Sequence, residues 1–217
     1  MEDTSKLIGE RKTLVGPFPP FNPYKRFEYP HELFLEWFQA AIANGEHEPQ
    51  SMTLSTTDPY GFPDARILIL KDIDENGWYF ASSSKSKKGK QLEVNPNVAL
   101  TFYWSLIGRQ VRVRGKVMGM GKERSTNDFL NRGIVARAIA LLDKQSSILE
   151  KRSDFDIALI EQLNRLKENP ASVSNSWTLY RVVAKEVEFW QGNEERKHIR
   201  LKFNYDGEKW TQNLLWP

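Results

Sequence analysis

Apolar and polar residues alternate through the middle of the chain, and this pattern predicts β-strands. In Gln110–Val117, Val111, Val113 and Val117 share one face while charged residues occupy the other, as in a half-buried strand. Glu75-Asn76-Gly77 is typical of a hairpin turn. The strand segments predicted from such patterns are 52–56, 66–71, 78–81, 98–104, 110–117 and 177–190. Strands at this spacing, joined by short turns, predict an antiparallel barrel.

Helical periodicity marks the regions on either side of these strands. Residues 31–45 have apolar side chains at i, i+3 and i+4, with Pro30 suited to the start of a helix and Asn44-Gly45 to its end. Residues 122–168 are predicted to be helical, with a polar break at 144–147. Within them, Asp154–Lys167 has the pattern of an amphipathic helix. The fold class predicted from these elements is α+β and mainly β.

The first 30 residues differ from the rest because they are rich in proline and aromatic residues. Proline supports neither a helix interior nor a β-ladder, so residues 1–30 are predicted to form an extended arm. The aromatic residues of this arm suggest that it packs on another surface. No linker interrupts residues 31–217, which are predicted to form a single domain.

Composition excludes several classes of site and of location. The 217 residues include no cysteine, which excludes disulfides and thiolate metal sites and fits a reducing cytoplasm. The N-terminus is polar, with no signal peptide, and no run of eighteen apolar residues predicts a membrane span. Histidine and acidic residues show no metal-binding spacing, so no metal site is predicted. A net charge of +3 gives little support to nucleic-acid binding.

Two arginines and a histidine near the C-terminus are the first candidate for chemistry. Gln191-Gly192-Asn193 interrupts a predicted strand, and Arg196, His198 and Arg200 follow at a spacing of two. On a second strand these side chains would share one face, where they could bind an anion and hold a proton-transfer group beside it. A solvated, charged hairpin end would have the same spacing. The neighbouring Trp190 favours a site, because an aromatic side chain can wall a planar ligand.

The second candidate is the lysine-rich stretch Lys85–Lys90, which is preceded by serines. Hydroxyls, ammonium groups and a helix N-terminus capped by serine would together bind a phosphate. A solvated helix face would have the same composition. Since no Gly-rich dinucleotide fingerprint or phosphate-loop signature is present, the chemistry is predicted to belong to a bound cofactor.

Five segments, in this order, resemble the pyridoxine/pyridoxamine 5′-phosphate oxidases, which are flavin mononucleotide (FMN) enzymes of the split-barrel fold. The segments are Arg66–Lys71, Ser86–Lys88 with Gln91, Arg109–Val111, Lys144–Ser147, and Glu188–Gly192 continuing to Arg196, His198 and Arg200. The resemblance implies an FMN-binding split β-barrel with flanking helices, present as a homodimer with FMN at the interface. It also implies hydride transfer from substrate C4′ to flavin N5, with reoxidation by oxygen to give hydrogen peroxide.

The resemblance also assigns roles to individual residues. Arg196 and His198 are the implied catalytic residues, and Lys71 and Arg132 join them in the implied substrate-binding set. The implied cofactor-binding residues are Arg66, Ile67, Leu68, Ile69, Leu70, Lys71, Ala81, Ser82, Lys87, Lys88, Gln110, Gln145, Ser146, Trp190 and Arg200.

Two positions depart from the family pattern. The family's grip on the substrate phosphate usually includes a tyrosine and a serine, where this chain has Asp128 and Ala136. We therefore expect pyridoxine 5′-phosphate to be a poor substrate, because neither residue gives the phosphate a hydroxyl. The alternatives left open are a flavin oxidase of the same fold acting on a phenazine precursor or another substrate, and a flavin-binding protein without turnover.

Overall fold

A computed structural model describes residues 4–10 and 13–217, and within it the chain forms two compact units. The terminal unit comprises Met1–Gln50, Thr101–Val113 and Lys185–Pro217. The central unit comprises Ser51–Leu100 and Arg114–Ala184. The single domain expected for residues 31–217 stays a prediction. Part of the predicted arm, residues 1–3, 11 and 12, lies outside the described residues.

The regular elements follow the predicted order of strands and helices. The helices are α1 Thr4–Gly9, α2 Pro30–Ala43, α3 Lys87–Val94, α4 Gly121–Leu130, α5 Ile134–Leu141 and α6 Arg152–Glu168, with a 3₁₀ turn at Ser105–Ile107. The strands are β1 Ser51–Thr57, β2 Pro63–Ile69, β3 Asp72–Asp74, β4 Gly77–Ser83, β5 Asn97–Trp104, β6 Arg109–Gly119, β7 Trp177–Gln191, β8 Ile199–Tyr205 and β9 Trp210–Leu215.

The central unit is built on antiparallel strand pairs. The strand order is β2-β1-β5-β6-β7-β4-β3, and β5, β6 and β7 contribute residues to both units. Leu54 of β1 lies opposite Arg66 of β2, and Phe80 of β4 lies opposite Tyr180 of β7. The rings of Phe80 and Tyr180 stack with their centroids 5.3 Å apart, and Phe80 is fully buried. Strands β2 and β4 and the start of β7 belong to the central unit, which also holds the lysine-rich stretch Lys85–Lys90.

The terminal unit packs helix α2 against aromatic residues of the strands. Phe34 meets Phe102 edge-to-face at 4.9 Å between centroids, and Trp37 meets Phe189 in the same way at 5.2 Å. The predicted helix at 31–45 is therefore confirmed in position and in its buried face. Ile42 is the exception, since 55% of it is exposed. Beyond β7, strands β8 and β9 extend the sheet as antiparallel neighbours.

Residues 19–21 of the N-terminal arm pack on other residues of the terminal unit, as the aromatic residues of the arm suggested. Phe21 meets Trp37 edge-to-face at 5.0 Å, and Arg109 donates from Nη2 to the carbonyls of Pro19 and Pro20, each at 3.3 Å. Burial of Arg109 lowers its pKa to about 10. The arm is not extended throughout, because Thr4–Gly9 forms a short helix before the proline-rich part begins.

One predicted helix forms with its apolar face exposed, and one strand prediction is corrected. Helix α6 forms where the amphipathic pattern placed it, but its apolar face is not a core face: Ile157 and Ile160 are 58% and 60% exposed, and Leu166 is its one buried residue among those described. Strand β8 begins at Ile199, so Arg196 and His198 lie in the preceding turn rather than on the strand. No helix in the described part of the chain is long and apolar enough to cross a membrane.

Candidate active site

The N-terminus of helix α3 in the central unit carries a buried lysine. Ser86 caps this helix by accepting a hydrogen bond from the Gly89 N–H at 3.2 Å, as the serine-rich sequence predicted. Lys88, in the first turn, is 7% exposed, and its Nζ donates to Ser82 Oγ at 3.2 Å and Ser86 Oγ at 3.4 Å. Burial lowers the pKa of Lys88, and the nearby Arg66 lowers it further. Lys88 forms no ion pair with any residue that the structure describes.

Arg66 and Lys87 lie beside this lysine and share one carboxylate. Arg66 donates from Nη1 to Thr56 Oγ1 at 2.6 Å, and its Nη2 lies 2.8 Å from Asp64 Oδ2. Lys87 Nζ lies 3.0 Å from the same oxygen. The pKa of Asp64 is lowered, chiefly by its hydrogen bond with Lys87, against a smaller opposing effect of burial. We call Arg66, Lys87, Lys88 and the N-terminus of α3 the cationic cluster.

The loop after α5 reaches the cationic cluster. Ser146 Oγ accepts a hydrogen bond from the backbone N–H of Lys87 at 3.4 Å. Asp143, at the start of this loop, accepts from Ser176 Oγ at 2.5 Å and from Lys85 Nζ. Burial opposes ionisation of Asp143, but these two donors outweigh it and lower its pKa. Asp143 and Ser146 both have positive φ, so this loop is held in a conformation that non-glycine residues seldom adopt.

The charge balance of the cationic cluster suits a phosphate dianion. Arg66, Lys87 and Lys88 supply three positive charges against the single carboxylate of Asp64. A buried ammonium paired only with hydroxyls is costly unless an anion joins it. The α3 N-terminus adds the positive end of the helix dipole. The residues present therefore fit the phosphate of a nucleotide cofactor.

A cavity of about 620 Å³ in the central unit is lined by many of the predicted site residues. The predicted residues that line it are Ile67, Leu68, Ile69, Lys71, Ala81, Ser82, Arg132 and Gln145. Arg66, Leu70, Lys87, Lys88 and Ser146 belong to the same unit but are not part of its lining. Most of the wall is apolar, including Ile139, Leu142 and Phe155. A largely apolar cavity with polar and charged groups in its wall is typical of a site for a small molecule or cofactor.

Four side chains around this cavity form a paired group. Lys71 Nζ lies 3.3 Å from Asp128 Oδ1, and Trp177 Nε1 donates to Asp128 Oδ2 at 2.8 Å. The guanidinium of Arg132 lies 3.8 Å from the centre of the Trp177 ring. Asp128 is therefore the residue of α4 that pairs with Lys71, whereas the neighbouring Phe129 is fully buried. The structure thus brings the predicted substrate residues Lys71 and Arg132 together with Asp128, which stands where the family usually has a tyrosine. Ala136, which stands at the usual serine position, lines the same cavity.

In the terminal unit, His198 and Trp190 lie against each other. The two rings are 4.9 Å apart between centroids, and His198 Nδ1 accepts a hydrogen bond from the Asn193 N–H at 3.1 Å. Arg196 is exposed, has a φ of 63°, and makes no side-chain hydrogen bond or ion pair with any described residue. The positive φ breaks the expected alternation, so the prediction that Arg196, His198 and Arg200 share a strand face is wrong.

Arg200 and Trp190 are cross-strand partners on β8 and β7. Arg200 Nε donates to Glu188 Oε1 at 2.9 Å, and Arg112 Nη2 donates to Glu188 Oε2 at 2.5 Å. Burial opposes ionisation of Glu188, but the two arginines outweigh it and lower the pKa of that carboxyl. Glu188 is buried between these two arginines, with 8% exposure. Gln110, the remaining predicted residue of this unit, is half-buried on β6.

Comparison with known proteins gives this arrangement a family. The model of the pyridoxamine 5′-phosphate oxidase family matches residues 38–191, more than half of the chain. The chain belongs to the pyridoxine/pyridoxamine 5′-phosphate oxidase family. Members of this oxidase family are FMN-dependent oxidoreductases, so the enzyme class expected from the sequence is confirmed. A second model, the C-terminal dimerisation region of pyridoxine 5′-phosphate oxidases, matches residues 177–217.

One curated relative and two solved structures are similar to this chain. The pyridoxine/pyridoxamine 5′-phosphate oxidase of Legionella pneumophila (strain Lens) is 34% identical over 188 residues, 87% of each chain. PhzG from Burkholderia lata 383, solved in complex with tetrahydrophenazine-1-carboxylic acid, has a TM-score of 0.86 at 24% identity, covering 93% of this chain and 100% of that one. An FMN-binding protein related to pyridoxamine 5′-phosphate oxidase, from Nostoc punctiforme, has a TM-score of 0.71 at 15% identity, covering 88% and 100%.

These likenesses confirm the fold. The split β-barrel with flanking helices, α+β and mainly β, is the architecture expected from the sequence. The roles of the individual site residues stay predictions, because the comparisons address the family and the fold.

Sequence reasoning missed several residues of the site. Asp64 pairs with two of the three cations, and its position two residues before Arg66 on one strand was a usable signal, because such residues share a face. Trp177 and Ser176 were not predicted, and no short-range pattern marks them. They reach Asp128 and Asp143 only because β7 begins beside α4 and the loop after α5.

Proposed function

We propose that the protein is an FMN-dependent oxidase that converts pyridoxine 5′-phosphate or pyridoxamine 5′-phosphate to pyridoxal 5′-phosphate, with oxygen as oxidant and hydrogen peroxide as product. The observation that carries the proposal is Lys88, a buried ammonium at a capped helix N-terminus whose partners are the two hydroxyls of Ser82 and Ser86. FMN, when bound, supplies hydride acceptance and reaction with oxygen. The cytoplasmic location expected from the sequence stays a prediction.

The cationic cluster would hold the flavin phosphate. Arg66, Lys87 and Lys88 provide the charge, and Ser82 lies within hydrogen-bond distance of Lys88. Asp64 forms ion pairs with both Arg66 and Lys87, and so it holds these two cations close together. Ile67, Leu68 and Ile69, with Ala81 and Gln145, would follow the flavin from the phosphate along the cavity wall.

The ring system would be held by residues of a homodimer. Gln110, Trp190 and Arg200 would contact the isoalloxazine, from the same subunit or from its partner. The match of residues 177–217 to a C-terminal dimerisation region supports this assembly. Two hydrogen bonds would orient Arg200 for this contact. Its Nε donates to Glu188, and its Nη1 donates to the Trp216 carbonyl at 3.0 Å.

Arg196 and His198 would act on the substrate. Because His198 Nδ1 accepts the Asn193 N–H, the ring proton of the neutral imidazole lies on Nε2. His198 is thereby prepared to donate a hydrogen bond to the substrate hydroxyl or amine and to orient the carbon that loses hydride. Arg196 has a guanidinium without a partner among the described residues, and so is available to an anionic or polar substrate group.

A second candidate keeps the flavin chemistry and changes the substrate. Asp128 and Ala136 stand at the cavity where the family's hydroxyls are expected, and neither can donate to a phosphate when Asp128 is paired with Lys71. An oxidase of a phenazine precursor would fit the same fold, and the PhzG structure was solved with a compound of that type. A flavin-binding protein without turnover would keep the cationic cluster but show no reaction.

The test is turnover of the flavin-loaded protein. Purified protein saturated with FMN is mixed with pyridoxine 5′-phosphate and oxygen, and pyridoxal 5′-phosphate and peroxide are measured together. The proposal predicts equal amounts of both products. Binding of FMN without either product, at millimolar substrate, would leave a flavoprotein with another substrate or none.

A further inference from the structure

The loop between α5 and α6 is held at its start by a chain of buried hydroxyls. Asp143 begins this loop, and its Oδ1 accepts a hydrogen bond from Ser176 Oγ at 2.5 Å. Because Ser176 has one hydroxyl proton and gives it to Asp143, Ser83 and Ser174 are the donors in their contacts with Ser176 Oγ, at 3.0 and 3.1 Å. All three serines are buried. Asp143 is therefore the acceptor at the end of a fixed chain of donors.

The same hydroxyl chain is joined to the start of α3. Ser83 is the last residue of β4, and its carbonyl accepts a hydrogen bond from Ser86 Oγ at 2.7 Å. Ser86 in turn caps α3. The backbone N–H of Ser84 donates to the Ser176 carbonyl at 2.7 Å, which connects the end of β4 to the segment before β7. Asp143 is thus fixed relative to the N-terminus of α3.

Ser146, three residues after Asp143, is the part of the loop that reaches α3. Its Oγ accepts the backbone N–H of Lys87 at 3.4 Å, and no residue in the described part of the chain accepts its hydroxyl proton. That proton is available to an anion at the α3 N-terminus. Asp143 and Ser146 have φ values of 56° and 71°, a conformation that costs free energy in residues other than glycine. The loop therefore needs a contact outside itself to keep Ser146 in place, and Asp143 provides one.

We propose that Asp143 is a positioning residue for the flavin phosphate, because it holds the loop so that the Ser146 hydroxyl can donate to the phosphate. The inference rests on the proposed function, which assigns that phosphate to the cationic cluster. The role of Asp143 is indirect. Its two carboxylate oxygens are already bonded to Ser176 and Lys85, and a carboxylate in direct contact with a phosphate dianion would repel it.

The relative affinity for FMN and riboflavin tests the proposal, because the two ligands share a ring system and differ in the phosphate. Asp143→Gly keeps a residue that adopts positive φ readily and removes the carboxylate. It should lower the ratio of the dissociation constants, riboflavin over FMN, by about tenfold, as expected when one hydrogen bond to a charged group is lost. Asp143→Asn keeps an acceptor for Ser176 and should restore most of the ratio. Titrations followed by flavin fluorescence measure both constants.

A double-mutant cycle shows whether Asp143 acts through Ser146. Ser146→Ala should lower the same ratio by about tenfold on its own. Adding Asp143→Gly to Ser146→Ala should then lower the ratio little further, because the group that Asp143 positions is already absent. Glu150→Gln is the control, since it removes an exposed carboxylate further along the same segment, and it should leave the ratio unchanged.

Three results would overturn the proposal: equal losses of FMN and riboflavin affinity in Asp143→Gly, additive losses in the double variant, or no recovery in Asp143→Asn. If Asp143→Gly does not fold, Ser176→Ala takes its place, because it removes the donor to Asp143. An unchanged ratio in Ser176→Ala would also overturn the proposal. An unaltered protein that binds neither flavin is a separate result, because it would overturn the proposed function itself.

Discussion

The Oγ of Ser146 accepts a hydrogen bond from the backbone N–H of Lys87 at 3.4 Å, although 59 residues separate them in the chain. This contact ties the loop after α5 to the first turn of α3, where the cationic cluster begins. Asp143 holds the same loop from its other side through Ser176. Three distant segments of the central unit therefore meet at the cationic cluster.

Replacing Lys88 with alanine should weaken FMN binding. The buried ammonium would make a hydrogen bond to a charged group, so its loss should cost about 1.5–3 kcal/mol of binding free energy. Lys90→Ala is the matched control, since Lys90 is exposed on the same helix and should change affinity little. Fluorescence titration of the flavin measures both. Equal affinities of the two variants would remove Lys88 from the phosphate site.

Replacing His198 with alanine should lower turnover more than it lowers flavin content. Loss of one oriented hydrogen-bond donor in an active site typically costs about 10²- to 10³-fold in rate. His198→Gln should recover part of the rate, because it keeps a donor, and Lys197→Ala, at the exposed neighbouring position, should have no effect. Steady-state rates are compared with bound flavin per subunit. Parallel loss of flavin and rate would give His198 a structural role.

The parts of the fold that the sequence predicted are those set by local pattern. Strand β6 buries Val111, Val113 and Val117 and exposes the charges between them, as the alternation required. Helix α3 begins after Ser86, whose side chain caps it. In these elements the local preference and the tertiary contacts agree, and the prediction therefore holds.

The parts that failed depend on contacts between distant residues. The spacing of Arg196 and His198 could not show that the backbone turns through positive φ at Arg196. Glu188 fits an outward position by alternation, but Arg112 and Arg200 from neighbouring strands enclose it. The apolar residues of α6 were correctly placed on a helix, yet periodicity does not say whether their face is covered within one chain.

Glu188 should make the protein sensitive to acid. Its pKa is lowered in the folded state, so the folded protein binds its proton less readily than the unfolded chain does. The stabilisation is present above the unfolded pKa and is lost as the pH falls through the folded value. Glu188→Gln should lower the free energy of unfolding at pH 7 by about 1.5 kcal/mol, since Arg112 is half exposed and partly screened.

Urea unfolding at a series of pH values measures this effect. The difference between Glu188→Gln and the unaltered protein should shrink as the pH falls below the ordinary range of glutamate. Glu195→Gln is the control, because its ion pair with Lys197 is exposed and should contribute little at any pH. A constant difference across the series would show that Glu188 contributes by packing rather than by charge.

Ala136→Ser should improve the use of pyridoxine 5′-phosphate. Pyridoxine 5′-phosphate should have a high Michaelis constant with the unaltered protein, since Ala136 and Asp128 give its phosphate no hydroxyl. A restored serine hydroxyl is worth about 1.5–3 kcal/mol toward a charged group, or roughly one to two orders of magnitude in the Michaelis constant. Ala140→Ser, which lines the same cavity one turn further along α5, is the control. A low-micromolar constant for the unaltered protein would show that these departures do not matter.

We propose that this chain binds FMN at the cationic cluster and that the substrate transfers a hydride to the bound flavin. The most direct measurement is an anaerobic spectrum of the FMN-loaded protein during titration with pyridoxine 5′-phosphate, followed by admission of oxygen. The account predicts one flavin per subunit, bleaching of the flavin absorbance by substrate, and full recovery with oxygen. Two results would contradict this proposal: a colourless protein that does not bind added FMN, or a bound flavin that no small aromatic alcohol or amine reduces.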